Sequence, residues 1–328
     1  MSYSAATERY KKMIYNACGN SGLYLPAISL GLWHNFGHET PFQNMQEMIL
    51  NSFDLGITHF DIANNYGPPP SAAEENFGRI LKTQLKSYRD ELIISTKAGF
   101  YMWDGPYGNG GSKKYLIASI DQSLKRTGLD YFDIFYHHRS DPNTPVAETA
   151  AALDQIVRQG KALYIGTSNY TVEETEAIIQ EFKKLGTPFI VHQPLYNMLN
   201  RWIEDGLADL LKSNGIGVIA YCPLAQGILT DKYQTDQIPP SSRASRSKYV
   251  MDELNKNINK IKMLRPLAQA RGQSLAQMAI AWLLNTGNVT SVLIGASKFS
   301  QIAENVAALN NTQFTKEELD LIDKIVLA

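Results

Sequence analysis

The 328-residue chain is short of cysteine, of long apolar runs and of net charge, and each shortage removes a class of explanation. Two cysteines, Cys18 and Cys222, cannot build a disulfide framework, and so sparse a use of thiols fits a reducing, cytoplasmic setting. No run approaches the ~18 apolar residues of a membrane helix. The segment from Met1 to Lys12 is polar and lacks the apolar centre of a signal peptide. With 31 basic and 32 acidic residues the net charge is −1, which leaves no bulk field for gripping nucleic acid or a membrane surface. Gly-x-Gly-x-x-Gly after a strand and the Walker phosphate loop are both missing; the stretch from Gly105 to Gly111 is glycine-rich but fits neither. Cys-x-x-Cys and His-Glu-x-x-His are missing too, so no metal site is indicated. Length alone would admit two domains. Without a Pro/Gly/Ser-rich linker or a block of like charge, a single domain over residues 1–328 is expected, its first twelve residues forming a polar tail.

What is there is a repeat of short apolar, β-branched runs, each followed by a segment of helical character. Met13 to Leu23 reads as a hairpin with Gly19-Asn20-Ser21-Gly22 as its turn. Ala27 to Leu32 is the first of eight further strands; the others end near Asp61, Lys97, His138, Thr167, Gln193, Tyr221 and Gly295. Strand then helix, repeated, predicts a parallel sheet. Ser112 and Gly128 delimit a helix with Leu116, Ile120 and Leu124 on one face. Phe299, Ile302, Val306 and Leu309 form an apolar stripe at helical spacing. The expected fold is α/β, a (β/α)8 TIM barrel with an N-terminal β-hairpin and a C-terminal helical extension.

Four polar residues stand at or just after strand ends: Asp61, Tyr66, Lys97 and His138. In a barrel, the C-terminal strand ends gather at one face, where active sites lie. The types make chemical sense together. A phenol can donate a proton, but its pKa near ~10 is high for donation at neutral pH. A nearby ammonium, Lys97, would lower it, and Asp61 would hold the ammonium. An imidazole can orient a carbonyl. His137 and His138 stand side by side, and strand alternation puts His138 in phase with Phe132, Ile134 and Tyr136. His192, beside Gln193, reads as a packing residue. Ser297 and Lys298 open a helix after a strand, where free N–H groups and an ammonium suit a phosphate.

These residues and their surroundings resemble the aldo-keto reductases, from about Met13 to about Ile325. The match runs through Leu30-Gly31-Leu32-Trp33, Glu74-Glu75-Asn76-Phe77-Gly78, Gly166-Thr167-Ser168-Asn169, Pro223-Leu224-Ala225-Gln226-Gly227 and Gly295-Ala296-Ser297. Within the family it resembles the branch of potassium-channel β subunits and bacterial glyceraldehyde 3-phosphate reductases. Asn64 to Pro70 and Gly105 to Lys114 look like the reductase group.

The resemblance implies that Asp61, Tyr66, Lys97 and His138 form a catalytic tetrad. The family motif puts its histidine five residues after the strand aspartate, Asp133, which selects His138 and leaves His137 facing the helix layer. It implies NADPH/NADP+ as cofactor, its carboxamide held by Ser168, Asn169 and Gln193 and its ring stacked on Tyr221. Cys222, Pro223, Leu224 and Gln226 would follow the pyrophosphate, with Lys232 and Arg243 above it. Gly295, Ser297 and Lys298 would meet the 2′-phosphate, with Gln301, Glu304 and Asn305 around adenine and ribose. Trp33 would border cofactor and substrate, and Tyr66, Trp103 and His138 would complete the substrate wall; His34 and Arg139 stand where they could meet an anionic group. Cys222 reads as an unreactive buried thiol. The implied activity is reduction of a small aldehyde, with L-glyceraldehyde 3-phosphate foremost and methylglyoxal related to it, by a cytoplasmic homo-oligomer, a tetramer or larger. The contrasting possibility is a channel-associated subunit that binds NADPH with little turnover; those subunits carry Asn where His138 stands.

Overall fold

The computed structural model describes residues 3–233, 238–240 and 242–327, so Met1 and Ser2 of the expected tail lie outside the described residues. A hairpin comes first, β1 (Tyr15–Ala17) and β2 (Tyr24–Pro26). Eight strands then alternate with helices: β3 (Ile28–Gly31), α1 (Phe42–Asp54), β4 (His59–Asp61), α2 (Ala72–Ile80), β5 (Ile93–Ala98), α3 (Lys113–Thr127), β6 (Phe132–His137), α4 (Val146–Arg158) and β7 (Ala162–Ser168). The second half continues with α5 (Val172–Leu185), β8 (Phe189–Gln193), α6 (Leu207–Ser213), β9 (Gly217–Tyr221), α7 (Lys248–Ala270), α8 (Leu275–Asn285), β10 (Ser291–Ile294), α9 (Phe299–Val306) and α10 (Lys316–Val326). All eight strands are parallel and close into a barrel, with β10 pairing β3 on one side and β9 on the other. The expected (β/α)8 barrel, hairpin and C-terminal helix are all present.

Capping sets several helix bounds. The Ser112 hydroxyl accepts the Tyr115 N–H at the start of α3, and Gly128 ends that helix in the left-handed region, at φ 69°. Glu74 ties α2 to its neighbours: fully buried, it accepts from Thr96 on β5 and from Arg126 on α3, each at 2.6 Å. The tail is not loosely solvated. Tyr3 donates to Asp54 at 2.7 Å, Arg9 pairs with Glu91, and the Arg9 guanidinium lies over the Phe53 ring at 4.9 Å.

Side chains alternate across each strand. Ile28, Leu30, Phe60, Ile94, Phe135 and Val292 face outward into the layer shared with the helices. Inside the barrel the filling is divided. Toward β6, β8 and β9 it is largely apolar, with Ile134, Tyr136, Val191, Ile219 and, from β10, Leu293 in one cluster. On β3, β4 and β5 the inward positions are Ser29, His59, Asp61, Ser95 and Lys97, all fully buried.

The hairpin closes the barrel at the strands' N-terminal ends. Cys18 and Leu25 are fully buried and join the interior cluster. Asn16 donates to the Thr290 carbonyl at 2.9 Å, and the Asn20 N–H to that of Gly215 at 2.8 Å. Gly19, at φ 58°, packs so close to Gly215 that an added Cβ would stand 2.0 Å from its carbonyl oxygen. The second hairpin strand lies beyond the expected end at Leu23. The turn is wider, closed by the Cys18 N–H donating to the Leu23 carbonyl, and Ala27 still pairs back to Ile14 before β3 begins.

Candidate active site

Because the strands are parallel, their C-terminal ends meet at the opposite mouth. Asp61 ends β4, Lys97 lies on β5, and His138 follows β6, its N–H still bonded to the Ala98 carbonyl at 2.9 Å. Lys97 pairs with Asp61 and donates to the Ile62 carbonyl at 2.8 Å; the pair is wholly buried. The other carboxylate oxygen of Asp61 accepts from Ser95 at 2.6 Å and from Gln193 at 3.2 Å. Tyr66 leans over this pair, its ring centroid 5.1 Å from the Lys97 ammonium, 5.8 Å from the His138 ring and 6.1 Å from Trp33. The four residues picked out in the sequence are therefore brought together.

One electrostatic expectation is reversed. The Tyr66 phenol is pushed well above its ordinary pKa, chiefly by burial and then by the negative charge of Asp61, with Cys222 and Tyr221 adding to it. The reason is geometric: the Lys97 ammonium is directed at Asp61 and the Ile62 carbonyl, and burial lowers its own proton affinity. His138 is held neutral, its pKa driven well down by burial and by the charge of Lys97. His137 faces outward, bonded through Nδ1 to the Tyr170 hydroxyl at 2.6 Å, as a packing residue does. His192 is bonded through Nδ1 to Thr167 at 2.8 Å, while its Nε2 is buried with no partner.

A second set of polar groups lies beside the first. Ser168 donates to the Gln193 carbonyl at 2.7 Å, Asn169 donates to the His138 carbonyl at 3.1 Å, and the Tyr221 hydroxyl donates to Asn169 at 2.7 Å. Asn169 sits at φ 58° and Cys222 at φ 53°, followed by Ala225 and Gln226 at φ 45° and 58°. Such left-handed backbone costs on the order of 1–3 kcal/mol per non-glycine residue and tends to collect at functional sites. Pro223 is buried, and Leu224 and Gln226 are half-buried along the same loop. Burial raises the Cys222 thiol to about 11, which keeps it inert. Arg243 reaches across the mouth to His34 at 2.8 Å and lies 5.0 Å from the Trp33 ring centroid; Lys232 is exposed. Gly295 leaves open space where any Cβ would stand.

One expectation needs correction. Ser297 does not open α9; Lys298 occupies the cap position, and the Gln301 side chain accepts both the N–H and the hydroxyl of Ser297, at 2.9 and 3.2 Å. Asn305 is buried, whereas Glu304 is exposed and takes a bond from Gln277 only through its carbonyl, at 3.1 Å. Trp103 packs on Tyr115, ring centroids 5.2 Å apart. Phe100 also stands against His138, edge-on at 4.7 Å, with the Arg139 guanidinium over the Phe100 ring at 4.3 Å. Phe100 directly follows the Lys97-Ala98-Gly99 strand end, a position that signals the mouth.

The arrangement can hold a proton on a phenol over a buried ion pair, beside a neutral imidazole. Sequence comparison gives the family. The model of the Aldo/keto reductase family matches residues 27–327. The chain is 55% identical over 331 residues to L-glyceraldehyde 3-phosphate reductase of Escherichia coli (strain K12), covering 99% of this chain and 95% of that protein. It is 35% identical to a probable voltage-gated potassium channel subunit beta of Oryza sativa subsp. japonica, and 35% to one of Arabidopsis thaliana, each across 96% of this chain and 97% of the relative. A family match from the first barrel strand to the last helix, on a barrel that gathers these four side chains at its mouth, makes the chain a member of the aldo/keto reductase family.

Proposed function

We propose that this chain is an NADPH-dependent reductase of small aldehydes, with L-glyceraldehyde 3-phosphate, or a related short aldehyde such as methylglyoxal, as substrate. As a family member with near-full-length similarity to a known reductase, it is an oxidoreductase of the carbonyl–alcohol couple. The observation that carries the reading is the Asp61–Lys97 pair sealed beneath Tyr66 and a neutral His138.

Tyr66 is the acid. Burial keeps its proton in place at neutral pH, so the donor is ready when a carbonyl oxygen gains negative charge. Lys97 is the cation against which the resulting phenolate is stabilised, and the attraction is strong because water is excluded. Asp61 fixes that cation. His138, uncharged, donates an N–H to the substrate oxygen without adding a competing charge. When bound, the nicotinamide supplies the hydride.

The polar shelf at the ends of β7, β8 and β9 suits a flat ring bearing an amide. Ser168, Asn169 and Gln193 would hold the carboxamide and Tyr221 the ring. Cys222 to Gln226, Lys232 and Arg243 would flank the pyrophosphate, and Gly295, Ser297, Lys298 and Gln301 the 2′-phosphate end. The Ser297 donors would exchange Gln301 for phosphate oxygens. A substrate phosphate would meet Arg139, which is exposed beside His138 and braced by the Gly99 carbonyl at 3.0 Å and Asn109 at 3.2 Å. His34 is a poorer anchor, since burial and Arg243 lower its pKa to about 4.

Rates of NADPH oxidation over a panel of short aldehydes, with and without phosphate, test the reading. The phosphorylated members should be preferred. Tight NADPH binding with no turnover of any aldehyde would favour a regulatory role of the channel-subunit kind. No described helix is long and apolar enough to cross a membrane. The same reading takes the protein as a cytoplasmic assembly, a tetramer or larger, which light scattering would check.

A further inference from the structure

We propose that His59 is a positioning residue for the reaction: acting through Ser95, it fixes the Asp61 carboxylate and thereby the charge balance around Tyr66. The inference rests on the roles given above to Asp61, Lys97 and Tyr66.

Hydrogen-bond directions follow from one end. One oxygen of Asp61 pairs with the Lys97 ammonium, and the other is placed as an acceptor. The Ser95 hydroxyl therefore donates to it, at 2.6 Å. Having given its proton, Ser95 accepts from His59 Nε2, at 2.9 Å. Burial lowers the His59 pKa to about 4, so the ring is neutral and carries one proton. Its Nδ1 must then accept, and the Ser29 hydroxyl is 2.9 Å away. Ser29 in turn accepts from Ser291 at 2.6 Å. Four adjacent strands, β10, β3, β4 and β5, thus contribute one chain in which every donor points toward Asp61, and the imidazole has a single tautomer.

The chain is not needed to fill space. The other half of the interior is filled by Ile134, Tyr136, Val191 and Ile219. An imidazole and three hydroxyls in such a place are tolerated only when all are bonded. Here all are, and the chain ends on a group of the reaction centre. The charged and titratable groups facing that centre are Lys97 with Glu74 behind it, His138, Tyr136, Tyr221 and Cys222. Ser95 draws negative charge toward the barrel interior. Without it, more of that charge faces Tyr66, and the phenol becomes a weaker acid.

The test compares Ser95→Ala, His59→Leu, His59→Gln and Tyr66→Phe in the full chain with NADPH and a reducible aldehyde. Ser95→Ala should lower kcat roughly tenfold, about what loss of one bond to a charged group allows. KM should hardly change, and the alkaline limb of the kcat–pH profile should move up by roughly one unit. His59→Leu should act in the same direction; His59→Gln, which keeps a donor facing Ser95, should recover most of the rate. If the leucine variant fails to fold, Ser95→Ala decides, since it deletes a single oxygen. A Ser95→Ala enzyme with a wild-type pH limb overturns the inference, whether kcat is unchanged or falls only in step with the melting temperature. If Tyr66→Phe is inactive in that case, the positioning role alone is lost. If Tyr66→Phe still turns over, the assignment of the acid falls and this inference with it.

Discussion

At the scale of single residues, the proposed reaction centres on the proton of Tyr66. Tyr66→Phe keeps the ring and removes the donor. General acid catalysis typically contributes ~10²–10⁴-fold, so the reductase rate should fall by at least ~10²-fold. NADPH should still bind, as a fluorescence titration would report; near-normal turnover would take Tyr66 out of its role. The gathering of Asp61, Tyr66, Lys97 and His138 was legible in the sequence because they sit at or just after strand ends. The sign of the phenol's shift was not. It depends on where the Lys97 ammonium points, and that direction, toward Asp61 and the Ile62 carbonyl, exists only in three dimensions. His59 and Ser95 went unread because each sits inside an apolar run. Their signal was the period of two: His59 is in phase with Asp61, and Ser95 with Lys97.

At the scale of elements, the helices with clear stop signals were read closely, and α3 begins and ends at the expected Ser112 and Gly128. α9 was not, because a serine followed by a lysine reads as cap then first turn. Gln301, one turn on, instead captures the Ser297 N–H and hydroxyl and leaves Lys298 at the cap. Lys298 is exposed, so its pull on a phosphate would be screened by solvent and salt. Lys298→Ala should weaken NADPH binding by about tenfold, more at low than at high ionic strength. NADH, which has no 2′-phosphate, should bind nearly as before. Titration of both cofactors at two salt concentrations checks this; equal losses would assign Lys298 to the helix and not to the phosphate.

At the scale of the whole molecule, four histidines are buried and neutral. Burial lowers His59 and His137 to about 4 and His192 to about 3, and drives His138 well below its ordinary value. Unfolded, each would titrate near ~6.5. The unfolded chain therefore binds more protons than the native one as pH falls below that value. Stability should drop from about pH 6.5 toward 4, by up to ~1.4 kcal/mol per pH unit for each histidine. Melting temperatures at pH 7, 6 and 5 should decline steadily; a flat series would show that these rings are not buried neutral. Barrel, hairpin and strand order were all legible, because the β-then-α repeat permits few alternatives. That the hairpin closes the bottom was legible through the family resemblance; its contact with Gly215, which joins residues almost two hundred positions apart, was not. Among the described residues, the hairpin closes the barrel at the end away from the strand tips. On the proposed reading, a cofactor resting on the buried Ser168 and Gln193 would then arrive before a substrate settling by Trp33 and Arg139 at the rim, and leave after it. Traffic would be last in, first out.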